Sequence, residues 1–159
     1  MNRNQNTAEL QDLYRELILD HARKPSNFKR LNEATHSAEG INPLCGDKLH
    51  LYLHVNSEKI ITDIGFEGSG CAISIASASL LTETIYNLSI EDAKSYFSFI
   101  TNRFTQQNNE TPIPENIDLS KLQALDGVNQ YPTRIKCATL PWHTLNTAII
   151  QAKLIATTE

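Results

Sequence analysis

Three cysteines, Cys45, Cys71 and Cys137, are the residues of this 159-residue chain whose types and placement carry chemistry. Each falls where the hydropathy pattern changes, at a joint between elements. A structural cysteine instead tends to sit on an apolar face, as a small hydrophobe. A thiol at a joint can be aimed at a point shared with others, and its thiolate is both a metal ligand and a nucleophile. Cys45 precedes a strand pattern, Cys71 opens a helical stretch after Gly68-Ser69-Gly70, and Cys137 is expected just before the last helix. Near a helix N-terminus unpaired N–H groups favour a thiolate. An odd number of widely separated cysteines is a poor disulfide framework and fits a reducing compartment, the cytoplasm, better.

Tetrahedral zinc takes four ligands, and Asp47 stands two residues from Cys45 across the permissive Gly46. A Cys3Asp set results, with His143, six residues after Cys137, as the alternative fourth ligand. Three thiolates and a carboxylate leave excess negative charge around a dication. Arg134 and Lys136, beside Cys137, are expected behind the ligands as compensating charges. A carboxylate oxygen is a harder ligand than sulfur, so the Asp47 corner is expected to be the exchangeable one.

These residues must be positioned by the elements around them. In residues 10–21, Leu10, Leu13, Tyr14, Leu17, Ile18 and His21 follow the i, i+3, i+4, i+7 rule of an amphipathic helix, which Pro25 ends. Leu49, Leu51, Leu53 and Val55 alternate with Lys48, His50, Tyr52 and His54, the period of a half-buried strand. After the turn Asn56-Ser57-Glu58-Lys59 the alternation resumes at Ile60, Thr62, Ile64 and Phe66, predicting an antiparallel hairpin, with a short edge strand before Asn42. Residues 71–86 predict a helix, and Ser89 with Asp92 three residues on predicts the start of another, carrying Ala93, Phe97, Ile100 and Phe104. Residues 105–118, rich in Gln and Asn with Pro112 and Pro114, predict an exposed loop, and Leu119, Leu122 and Leu125 a short helix. Residues 140–156 predict the last helix, with Pro141 in its first turn.

The fold class is therefore α+β: a small antiparallel sheet of about three strands packed against several helices. Residues 1–159 are read as one domain with residues 1–9 as a flexible tail. With 40% hydrophobic and 20% charged residues, a chain of this length buries a core without a metal staple. A net charge of −4 argues against nucleic acid as a partner. No apolar run approaches the ~20 residues of a membrane span. His50 and His54 share one strand face and are read as a solvated polar surface.

Asn42-Pro43-Leu44-Cys45-Gly46-Asp47, then Phe66-Glu67-Gly68-Ser69-Gly70-Cys71-Ala72-Ile73-Ser74 with Ala76-Ser77-Ala78-Ser79, then Arg134-Ile135-Lys136-Cys137-Ala138-Thr139-Leu140, closely resemble the SufU branch of the IscU/NifU-type iron–sulfur cluster assembly family. The resemblance spans residues 10–155. It implies a metal held at one end of the sheet by Cys45, Asp47, Cys71 and Cys137, and it favours Asp47 over His143 as the fourth ligand. It further implies that Cys45 accepts sulfur from a pyridoxal-phosphate cysteine desulfurase of the SufS type and passes it to a downstream assembly scaffold. Scaffold-type members carry histidine immediately before the last cysteine, where this chain has Lys136, and they lack the extra segment of residues 106–131. Both features favour a zinc-dependent sulfurtransferase. The rival readings are a scaffold holding iron as a [2Fe–2S] cluster on the same thiolates and a structural zinc domain that docks partners. The oligomeric state is left open.

Overall fold

The computed structural model describes residues 3–105, 112–150 and 155–157, with side chains for 11–105 and 112–150. Its elements run α1 (Arg3–Arg23), β1 (His36–Asn42), β2 (Asp47–Val55), β3 (Ile61–Ser69), α2 (Ala72–Ile85), α3 (Ile90–Thr105), a 3₁₀-helical run (Ser120–Gln130), α4 (Pro132–Ile150) and β4 (Ile155–Thr157). The sheet has the order β3-β2-β1-β4. Its first three strands are the expected antiparallel meander. β4 adds to the edge in parallel with β1, through Glu39 opposite Ile155. A three-residue strand is too short to leave a readable alternation in sequence, and it lies where the last helix was expected to continue.

The alternation in β2 is realised as burial. Leu51 faces Phe66 and Leu53 faces Ile64 across the β2–β3 register, and all four are essentially inaccessible to water. Burying each such side chain contributes about 1.5–3 kcal/mol. α4 packs across β1 and β2, α2 against α4 and β3, and α1 against α2 and the 3₁₀ run. α2 is buried along nearly its whole length, which its small residues permit. Its hydroxyls are satisfied inside the protein: Ser77 Oγ donates to the Ala138 carbonyl at 2.6 Å, and Ser79 Oγ accepts from the Ser26 N–H at 2.7 Å. α3 begins as predicted, with the Asp92 N–H bonded to Ser89 Oγ at 3.1 Å.

Four boundaries differ from the sequence reading. α1 starts at Arg3, so residues 3–9, assigned to a flexible tail, are helical, and Leu13 is exposed rather than on the packed face. Residues 112–118 are irregular as expected, yet Ile117 is buried and the Asp118 N–H bonds Tyr96 Oη at 2.9 Å; residues 106–111 of that loop lie outside the described residues. The helix expected around Leu119 to Leu125 is a longer 3₁₀ run. α4 starts at Pro132, not at residue 140. Two prolines compete for the first helical position, and the earlier one takes it. Pro141 is then interior, and its missing N–H leaves the carbonyl of Cys137, four residues earlier, without its helical partner. Among the described residues no helix is long and apolar enough to cross a membrane.

Candidate metal centre

The β1–β2 hairpin ends in the loop Pro43-Leu44-Cys45-Gly46, and its register pairs Asn42 with Asp47. The Cys45 N–H closes a turn onto the Asn42 carbonyl at 3.3 Å, and Gly46 at φ +71° provides the left-handed residue that brings the chain back. Cys45 therefore sits at an accessible loop tip, half-buried, while Asn42 and Asp47 below it are buried. Cys71 arrives from the neighbouring strand as the residue preceding α2, in extended conformation. Gly70 before it is required by space. A Cβ there would stand 2.5 Å from Asp47 Oδ1 and 2.7 Å from Ser74 Oγ.

Cys137 is the sixth residue of α4, inside its second turn rather than ahead of the helix as the sequence suggested. It is fully buried. Its Sγ lies 3.2 Å from Cys45 Sγ, and Cys45, Asp47 and Cys137 present ligand atoms all within 4.8 Å of one another. Cys71 joins at the margin. Its Sγ is 3.9 Å from Asp47 Oδ2 and 3.8 Å from Ser74 Oγ, while its backbone N–H donates to Asp47 Oδ1 at 2.8 Å. Zinc–sulfur bonds of about 2.3 Å arranged tetrahedrally separate two sulfurs by about 3.8 Å. The Cys45–Cys137 sulfur spacing of 3.2 Å is several tenths of an ångström short of that, Cys71 stands outside the group gathered within 4.8 Å, and the donor set of thiols and a carboxylate suits zinc.

Burial is the main cause that pushes the Cys137 thiol well above the ordinary thiol range; hydrogen bonds to Cys45 and Cys71 and the charge of Cys71 add to it. Several acids crowded together cannot all ionise unless a cation compensates them. Arg134, exposed on α4, is a cation whose field reaches the three cysteines. Its pKa is raised, first by hydrogen bonding to Cys137 and then by the fields of Cys71, Cys137 and Cys45. Three residues before Cys137 on one helix is the spacing that puts two side chains on one face. Lys136, also assigned to the site, is a direct neighbour of Cys137 in sequence and so is turned by about 100° around the helix; no contact with the centre is found for it among the described residues.

The remaining histidines are elsewhere. His143 packs edge-on against Phe97 with ring centroids 5.3 Å apart, so it is not a ligand to this cluster. His50 stacks on Tyr52 at 4.3 Å, and His54 Nδ1 bonds the Glu33 carbonyl at 2.9 Å, both on the polar face away from the cysteines. The sequence reading missed Asn42. Its Nδ2 donates to Asp47 Oδ2 at 3.3 Å and lies 3.6 Å from Cys137 Sγ. The available signal was its place opposite Asp47 across a four-residue loop.

The fold is that of a known family. Residues 13–138 match the family model described as NifU-like N terminal domain. The chain is 39% identical over 142 residues, 89% of its length and 92% of the relative's, to the zinc-dependent sulfurtransferase SufU of Bacillus subtilis (strain 168). It is 34% identical to the iron–sulfur cluster assembly scaffold protein IscU of Streptococcus pyogenes serotype M1, over 89% of this chain and 86% of that one. A crystal structure of a protein described as a putative iron–sulfur cluster assembly scaffold for the SUF system, from Fervidobacterium islandicum AW-1, superimposes with a TM-score of 0.74 at 32% identity, covering 84% of this chain and 94% of that one. With a buried aspartate and two cysteines gathered at the sheet end and a third cysteine beside them, the chain belongs to the NifU-like N-terminal domain family, within the IscU/SufU group of iron–sulfur cluster assembly proteins.

Proposed function

We propose that this protein is a zinc-dependent sulfurtransferase that accepts persulfide sulfur on Cys45 from a pyridoxal-phosphate cysteine desulfurase of the SufS type and hands it to a downstream iron–sulfur assembly scaffold in the cytoplasm. The observation that carries the reading is the contrast between Cys45, half-buried at the tip of a glycine-hinged loop, and Cys137, fully buried in α4 only 3.2 Å away. One thiol is presented and the other is held. The similarity to the SufU of Bacillus subtilis supports the same choice.

Cys45, Asp47, Cys71 and Cys137 would hold the zinc, whose charge, without redox activity, keeps the thiols ionised. Asp47 keeps its place because Oδ1 accepts the Cys71 N–H and Oδ2 the Asn42 amide. Cys45 Sγ, as a thiolate, attacks the outer sulfur of the donor persulfide. A new S–S bond forms on Cys45, the donor's S–S bond breaks, and the electron pair leaves on the donor cysteine as a thiolate. Arg134 offsets the negative charge gathered around the sulfurs. Leu44, exposed beside Cys45, and Tyr131, exposed just ahead of α4, give a partner protein apolar footing.

A second reading, a scaffold carrying a [2Fe–2S] cluster, is favoured by the names of the streptococcal and Fervidobacterium relatives. Metal analysis of protein purified without added iron separates the two. Near-stoichiometric zinc, no visible-region absorbance and acceleration of a cysteine desulfurase support the transferase; iron with labile sulfide and no acceleration overturns it.

A further inference from the structure

Asn42 occupies a position that the strand pairing does not explain. It is the last residue of β1, fully buried, and sits directly opposite Asp47 in the register. Its carboxamide spends both contacts of its Nδ2 on the centre, with Asp47 Oδ2 at 3.3 Å and Cys137 Sγ at 3.6 Å. Its Oδ1 is buried with no hydrogen-bond partner. A buried acceptor left unpaired is destabilising, whereas an apolar side chain of the same size would carry no such cost. The fold alone therefore gains nothing from an amide here; what the amide provides is a donor shared between the carboxylate of Asp47 and the sulfur of Cys137, the latter 95 residues from Asn42 in the chain.

We propose that Asn42 is a positioning residue, a clamp that joins Asp47 of β2 to Cys137 of α4 and makes them the stationary half of the centre, leaving Cys45 as the sulfur free to move. The inference rests on the four-residue metal centre described above, but the clamp itself exists between side chains of the metal-free protein. Two features set Cys45 apart. Among the described residues the one hydrogen-bond partner of its side chain is Cys137 Sγ, at 3.2 Å, and a Cβ on the adjoining Gly46 would meet open space. Asp47, by comparison, is tied at both oxygens. A donor to sulfur also draws negative charge away from a bound thiolate, so the clamped sulfur is the poorer nucleophile and Cys45 the better one.

The test compares the wild type with Asn42→Leu, which keeps the approximate volume and removes the donor, and Asn42→Asp, which keeps the shape and substitutes an acceptor. Each is labelled with limiting iodoacetamide, with and without one equivalent of zinc, and the modified cysteine is mapped by mass spectrometry over time. The wild type should label Cys45 first in both states and Cys137 at least about tenfold more slowly, a factor in keeping with one hydrogen bond to a charged group. Both variants should lose most of that gap while Cys71 keeps its wild-type rate, and zinc-loaded variants should release the metal to a chelator about tenfold faster. Melting of the metal-free variants controls for the fold, since general loosening raises all three labelling rates together. If Asn42→Leu retains the wild-type order and gap, or if Cys71 accelerates in step with Cys137, Asn42 is not a clamp. Should the wild type take up no zinc, the metal reading fails, and the metal-free labelling still decides the clamp.

Discussion

Cys45 Sγ and Cys137 Sγ are 3.2 Å apart although 92 residues separate them in the chain. Both are free thiols, close enough for an oxidant to join them. Treating the metal-free protein with the thiol oxidant diamide should link Cys45 to Cys137 in preference to any pair containing Cys71, and one equivalent of zinc should suppress the bond by occupying both sulfurs. Peptide mapping under non-reducing conditions checks this. A dominant Cys45–Cys71 bridge would contradict the arrangement.

Replacing Cys71 or Cys137 by serine should abolish tight zinc binding, because either change removes a thiolate anchored at a helix, whereas loss of the loop-tip Cys45 leaves both anchored thiolates and Asp47 in place. The stabilisation that zinc adds to the wild type, about 4 kcal/mol at a thousandfold excess over Kd, should vanish in both variants. Zinc content and thermal melting with and without metal are the measurements. Full occupancy in both would refute the ligand assignment, which for Cys71 rests on a sulfur now at the margin of the cluster.

Gly70→Ala tests the packing that supports Asp47. The new Cβ would come 2.5 Å from Asp47 Oδ1, and that oxygen cannot move aside without breaking its bond to the Cys71 N–H. The variant should lose about 1–3 kcal/mol of stability, the usual cost of overpacking, together with most of its zinc affinity. Wild-type values of both in denaturant titration and metal competition would show that the site has slack.

A prediction about pH comes from the far side of α2. His21 is buried, with Nδ1 2.6 Å from Ser79 Oγ. Burial lowers its pKa from the ordinary 6.5, against the opposing pull of Glu83. The folded state therefore binds this proton less readily than the unfolded state does. The stabilisation from His21 is complete above about pH 6.5 and is lost as pH falls from there through the lowered folded value. Burial also lowers His36 and His143, so they act in the same direction. Denaturant midpoints should fall between pH 7.5 and 5 with a smaller slope in His21→Gln, and equal slopes in the two proteins would remove His21 as a contributor.

The three antiparallel strands and α2 were legible because their periods are those of the elements themselves: Leu49, Leu51 and Leu53 alternate, and the helix opens at a glycine-flanked cysteine. Asp47 as a partner of Cys45 was legible because the two share one short loop. The different placement of Lys136 and Arg134 was not legible, because helix phase cannot be assigned until the helix start is known, and Pro141 hid the start at Pro132. With the phase fixed, Arg134 falls on the face of Cys137 and Lys136 does not. Asn42 was legible only as the residue opposite Asp47 across a short loop, and its contact with Cys137 was not. Its importance depends on strand register and on α4 lying across the sheet, a long-range relationship that local pattern does not encode.

The central claim is that Cys45 receives the sulfur, and single-turnover mapping addresses it directly. The zinc-loaded protein is mixed with a SufS-type cysteine desulfurase and one equivalent of cysteine, and the added sulfur is located by mass spectrometry alongside desulfurase rates for wild type and Cys45→Ser. An alcohol is a far poorer nucleophile towards a persulfide than a thiolate. The account predicts a persulfide on Cys45 and a variant that retains some zinc through Asp47, Cys71 and Cys137 yet no longer accelerates the desulfurase. Sulfur found on Cys71 or Cys137 with Cys45 unmodified, and acceleration preserved in Cys45→Ser, would contradict it.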